Sequence, residues 1–135
     1  NYRQAFKNVM TNALKSAGMQ PSEIGHVHAH GLATSRCDRE EAVAIHEIFN
    51  ESETPVVAAK SFTGNLGAAS GLVEAMSSLL AIRENQLFGT LNYETPDPDC
   101  PIRISRECGN PGDSVLNLSI TPQGQASAVI IRRFS

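Results

Sequence analysis

Three side chains of different chemistry follow two short apolar runs in this sequence. His30 closes the first run in Ala29-His30-Gly31, and Lys60 and then Asn65 follow the second. An imidazole donates or exchanges a proton near neutral pH, an amide donates a hydrogen bond without titrating, and an ammonium supplies fixed positive charge. Brought to one place, they are suited to holding a carbonyl oxygen on which negative charge develops. His26, His28 and His30 also recur at every second position, which on an ideal strand puts three imidazoles on one face, as in a zinc site. No fourth ligand is apparent, so no metal is expected. The small-residue stretch from Gly67 to Gly71 lacks the Gly-Lys-Ser/Thr ending of a phosphate loop and reads as close helix packing. Cys37, Cys100 and Cys108 are odd in number and have no C-x-x-C spacing. They and His46 are read as structural.

For His30 and Lys60 to meet, the two runs must be neighbouring strands of one sheet, since ligands of such sheets sit beyond the carboxyl ends of the strands. The rest of the chain fits that demand. Phe6, Val9, Met10, Ala13, Leu14 and Ala17 recur with helical period and predict a helix over 2–17, ended by Gly18 in the left-handed conformation. Residues 24–30 alternate Val27 and Ala29 against the three histidines and predict a strand. Asp38, with Glu41 three residues later, is predicted to cap a second helix whose apolar face includes Ala42, Ile45 and Phe49. Residues 55–59, Pro-Val-Val-Ala-Ala, predict a strand buried on both faces. Small residues followed by Leu72, Val73, Met76, Leu79, Leu80 and Ile82 predict a long central helix packed against a neighbouring helix. Residues 85–101, with three prolines, predict an irregular excursion, and 115–120 and 127–134 predict two strands joined through 121–126. The order of elements predicts one layered α/β domain over 1–135, helices on a mixed β-sheet.

Composition narrows the function classes. Of 135 residues 41% are apolar and 19% charged, which excludes disorder. The net charge of -3 and scattered basic residues argue against nucleic acid as a partner. No apolar run approaches the roughly 18–20 residues of a membrane span and no signal sequence opens the chain, so a cytoplasmic protein without membrane attachment is expected.

Several segments carry a resemblance. Ala29-His30-Gly31-Leu32-Ala33-Thr34, then Asp38 and Glu41, resembles the His-Gly-Thr-Gly-Thr segment of β-ketoacyl-[acyl carrier protein] synthases. Lys60-Ser61-Phe62-Thr63-Gly64-Asn65, continued by Gly67-Ala68-Ala69-Ser70-Gly71-Leu72-Val73-Glu74-Ala75, is similar to that family's Lys-Ser-x-x-Gly-His segment and small-residue helix. Asn92 and Pro96-Asp97-Pro98 resemble the Asn and Asn-Pro-Asp-Pro that follow. The resemblance covers the C-terminal half of the family. It implies a thiolase-like fold and a fragment or split subunit, with the nucleophilic cysteine in the N-terminal half.

The resemblance also implies roles. The family performs a decarboxylative Claisen condensation of acyl and malonyl thioesters in fatty acid or polyketide biosynthesis, with no cofactor. His30 matches one of two donors to the malonyl carbonyl. Asn65 falls where decarboxylating synthases usually carry the second histidine, and related initiating synthases use Asn there. Lys60 and Glu74 match a buried pair that orders the site. Thr34 is the matching hydroxyl for a pantetheine arm, and Pro122 falls at the gate of the family's Gly-rich loop, where it offers no N–H. The implied partners are an acyl carrier protein and an N-terminal half or sister subunit, in a homo- or heterodimer. Asp38-Arg39-Glu40-Glu41-Ala42 resembles chain-length-factor subunits, so a catalytically deficient partner that binds acyl chains or carrier protein is the alternative.

Overall fold

A computed structural model describes residues 1–50 and 52–134. The first helix, α1 (Tyr2–Ala17), starts where the Asn1 side chain accepts the Gln4 N–H and ends at Gly18, at φ 63°. Phe6, Met10 and Leu14, one turn apart, form its buried stripe. After a short 3-10 turn the chain enters β1 (His26–His28), then α2 (Ser35–Phe49), β2 (Val56–Val57), the short helix α3 (Lys60–Thr63) and α4 (Ser70–Glu84). The irregular excursion follows and leads to the hairpin β3 (Ser114–Ile120) and β4 (Ala126–Arg132).

The four strands form one sheet in the order β2-β1-β3-β4. β1 runs parallel to β2 and β3, and β4 is antiparallel to β3, so the sheet is mixed. Strand alternation sorts β1 into two faces. Val27 and Ala29 join Phe6, Met10, Leu14, Ile45 and Phe49 in the main core under α1 and α2. His26 and His28 face α4, which packs on β3 and β1 from the other side. Among the described residues no helix is long and apolar enough to cross a membrane.

The layered α/β expectation holds, and three local ones do not. Asp38 does not cap α2: the helix begins at Ser35 with Thr34 in the cap position, and Asp38 lies in its first turn. The acid that the capping pattern assigned to the helix start, Glu41, instead takes the N–H groups of His30 and Gly31 at 2.6 and 3.0 Å. The strands at 24–30 and 55–59 are shorter than expected, His26–His28 and Val56–Val57: Ile24 still closes the preceding 3-10 turn, and the chain leaves the sheet after His28 and Val57. α4 packs on the sheet through Ser70, Glu74, Ser78, Ala81 and Ile82, and among the described residues no helix lies against its outer face, where Leu72, Met76, Leu79 and Leu80 are 68, 54, 42 and 53% exposed.

Candidate active site

β1 and β2 end side by side, and the residues that follow them meet. Gly31 makes the meeting possible: it has φ 52°, and a Cβ there would stand 2.7 Å from that of Ala58. The Lys60 ammonium donates to the His30 carbonyl at 2.6 Å, lies 3.3 Å from His30 Nδ1, and pairs with the Glu74 carboxylate of α4. All three residues are buried.

This contact decides what His30 can do. An ammonium has only donors, so Nδ1 must be the acceptor, and the neutral ring carries its proton on Nε2; the tautomer is assigned from its partners. Burial, and then the Lys60 charge, push the imidazole down to about 4. His30 is therefore a neutral N–H donor at physiological pH. Burial raises the Glu74 carboxyl in spite of Lys60. Burial also lifts Glu41 to about 7, against the pull of the two N–H groups it holds.

Asn65 stands apart from this triplet. It is exposed, and its Oδ1 accepts from the Gly67 N–H at 3.2 Å and the Ser70 hydroxyl at 3.1 Å. Its Nδ2 makes no hydrogen bond among the described residues, so that end of the amide is free to donate. A cleft of about 640 Å³ joins Asn65 to Lys60 and Gly31, and Asp38, Asn92 and Cys100 also line it. Of the other expected site residues, His30, Glu74, Thr34 and Pro122 are not among those that line that cleft. Thr34 is exposed at the start of α2, and its side chain makes no capping bond. Pro122 sits in the β3–β4 turn with its carbonyl on the Tyr2 hydroxyl at 3.0 Å.

Of the three imidazoles, His26 and His28 share one face of β1 and His30 lies beyond the strand's end; five of the six ring nitrogens are spent on protein partners, Pro111, Ser78, the Ala59 N–H and Lys60, and among the described residues only His30 Nε2 has none. Cys37 is buried in α2, where burial and then the nearby acids push its thiol up to about 12. Sequence reasoning missed the grip of Glu41 on the His30 backbone and the role of Ser70 and Ser78. The signal was present in the spacing of Ser70, Glu74 and Ser78, four residues apart on one side of a helix.

The site's residues belong to segments shared with known proteins. The family described as "Beta-ketoacyl synthase, C-terminal domain" matches residues 2–94, which include His30, Lys60, Asn65 and Glu74. The chain belongs to the β-ketoacyl synthase family. It is 37% identical over 101 residues to the 3-oxoacyl-[acyl-carrier-protein] synthase 2 of Coxiella burnetii, a match that covers 73% of this chain and 24% of that protein. Among solved structures, the ishigamide ketosynthase/chain length factor superposes with a TM-score of 0.93 at 27% identity, covering 98% of this chain and 34% of that one. A type II polyketide synthase ketosynthase, solved with its acyl-carrier protein and a hexaketide, gives 0.89 at 32% identity over 96% of this chain and 33% of its own. The fold is thus the thiolase-like fold of the β-ketoacyl synthases, and this chain spans about a quarter of the curated relative and about a third of each solved one.

Proposed function

We propose that this β-ketoacyl synthase domain serves a decarboxylative Claisen condensation of acyl and malonyl thioesters, with His30 and Asn65 as donors to the malonyl thioester carbonyl. The carbon–carboxylate bond breaks and CO2 leaves. The electron pair passes into the thioester as an enolate, and the His30 Nε2–H and the Asn65 Nδ2–H stabilise the charge on its oxygen. The enolate carbon then attacks the acyl thioester and expels the thiolate that carried the acyl group. Lys60 and Glu74 fix the His30 ring. The observation that carries this reading is the Lys60–His30 contact, which makes a neutral imidazole with its proton on the free nitrogen.

The nucleophilic thiolate, on this reading, lies outside the present sequence. Burial raises Cys37 to about 12 and also raises Cys100, the opposite of what a nucleophile needs. The proposed partners are an acyl carrier protein, which the hexaketide-bound ketosynthase holds in its complex, and a second half or sister subunit in a dimer. Both are needed for turnover.

One observation favours the second reading, a chain-length-factor-like partner without condensing activity. Pro122 has no N–H, and the turn that carries it is tied to α1 through Tyr2, so it offers no oxyanion donor at that point.

The test is CO2 release from malonyl carrier protein by the whole protein that contains this chain. His30→Ala is expected to slow release by about 10²–10³-fold, the usual effect of losing one such donor. An equal rate in the unaltered protein and in His30→Ala would reject the condensing role.

A further inference from the structure

Two buried imidazoles lie beside the site and take no part in the proposed chemistry. His26 and His28 are fully buried, and both ring edges meet the same hydroxyl, Ser78 Oγ, at 2.9 and 2.8 Å. Their other nitrogens meet groups of fixed character. His28 Nε2 lies 3.1 Å from the Ala59 N–H, which can only donate. His26 Nδ1 lies 2.8 Å from the Pro111 carbonyl, which can only accept.

These ends determine every proton between them. His28 Nε2 must be bare, so its proton is on Nδ1 and donates to Ser78. His26 Nδ1 must carry the proton, so its Nε2 is bare and needs a donor. The one hydroxyl proton of Ser78 goes to His26, and its oxygen accepts from His28. Either end, taken alone, sets the same direction. Reversing the chain would leave two donors facing at Ala59 and two acceptors facing at Pro111, both buried and costly.

The chain ends where the site begins. Ala59 is the cap residue of α3 and immediately precedes Lys60. Ser78 lies one helical turn beyond Glu74, the Lys60 partner, and Ser70 lies one turn before it and bonds Asn65. The sheet-facing side of α4 thus holds Asn65, Lys60 and, through His28, the backbone in front of Lys60.

We infer that Ser78 is a positioning residue of the proposed active site, which acts by imposing one proton direction through His28 and His26 and so fixing the backbone that presents Lys60 to His30. This rests on the proposed function, but its first test does not need turnover. In the whole protein labelled with ¹⁵N-histidine, long-range ¹H–¹⁵N spectra should show Nδ1–H in His26 and His28 and Nε2–H in His30. A proton on Nε2 of His28 overturns the inference.

Ser78→Ala should then shift the His30 ring signals and lower kcat about tenfold, with KM unchanged within about twofold. Ser78→Thr, which restores the hydroxyl, should recover most of the loss. Full kcat with unmoved His30 signals in Ser78→Ala overturns the inference. If Ser78→Ala fails to fold, His28→Gln, which keeps an acceptor for Ala59, is compared with His28→Leu, which removes it. Higher kcat in His28→Gln supports the inference, and equal loss overturns it. Absence of CO2 release from the unaltered protein would reject the proposed function, while the tautomers and the His30 shift would still decide this one.

Discussion

The Lys60–Glu74 pair offers the sharpest test of how the site is built. Its side chains are 5% and 2% exposed, so both charges have been taken out of water. Burial raises the Glu74 carboxyl even beside an ammonium, which means that desolvation outweighs attraction at that group. Glu74→Gln leaves the Lys60 ammonium with the His30 carbonyl and no counter-charge, a loss of about 3–5 kcal/mol for a pair of this kind. With an unfolding entropy of about 0.3 kcal/mol/K for a domain of this size, Tm should fall by about 10–17 °C. Lys60→Met/Glu74→Leu removes both charges, and its stability should match or exceed that of the unaltered chain, by up to about 4 kcal/mol. The double variant should nonetheless be inactive in CO2 release, because nothing then holds His30 Nδ1. Thermal and urea unfolding of the unaltered chain and the two variants measure both effects. A fall under about 3 °C for Glu74→Gln, or a double variant as unstable as the single one, would refute the account of a costly buried pair kept for the site.

Other expectations follow from the same geometry. His30 titrated by NMR should show a midpoint near 4, and a midpoint above 6 would remove the neutral donor. The unfolded chain binds protons near 6.5 that folded His28 and His30 refuse until about 3 and 4, so they contribute stability that is lost as pH falls below 6.5. Glu41, raised from 4.5 to about 7, acts in the opposite sense between those values, so Glu41→Gln should steepen the acid loss of urea stability; an unchanged slope would contradict its burial as a carboxyl. Cys37, at about 12, should resist alkylation at pH 8 while exposed Cys108 reacts, as read by mass spectrometry. The exposed leucines of α4 should make this chain self-associate, and Leu72→Glu/Leu80→Lys should reduce that in light scattering with a Tm change of only a few degrees, because both residues already face water.

How far the sequence foretold the structure depends on whether each pattern had one physical outcome. The α1 stripe with Gly18 behind it had one, and the helix ends at that glycine. The meeting of His30 and Lys60 was also legible, because two parallel strands that end together leave their next residues nowhere else to go. Asp38 and Glu41 had two outcomes. Acids at that spacing cap a helix or bind N–H groups of a preceding loop, and the buried His30 and Gly31 N–H groups after β1 take Glu41 as their acceptor. α4 misled for a deeper reason. Its leucines and methionine promised a buried apolar face, but opposite it lie His26 and His28 of the sheet and the Lys60 ammonium of α3, which require polar partners. Glu74 and Ser78 supply them, so the apolar side turns outward within this chain.

The proposed chemistry also explains why one lysine contact carries so much of the site. A donor that helps an enolate form must not hand it a full proton, since protonation at carbon would end the carbanion before it reaches the acyl thioester. An imidazolium would carry that risk, and a bare nitrogen facing the carbonyl would repel the charge. Lys60 prevents both. Its charge adds to burial in keeping the ring from taking a second proton, and its N–H on Nδ1 keeps the single remaining proton on Nε2. Lysine's place could not be filled by a residue that accepts at Nδ1, because that would turn the tautomer and point a lone pair at the substrate. In the proposed chemistry Asn65 meets the same requirement by a different route, as an amide that donates and does not titrate, so a second imidazole is not needed to keep both donors neutral.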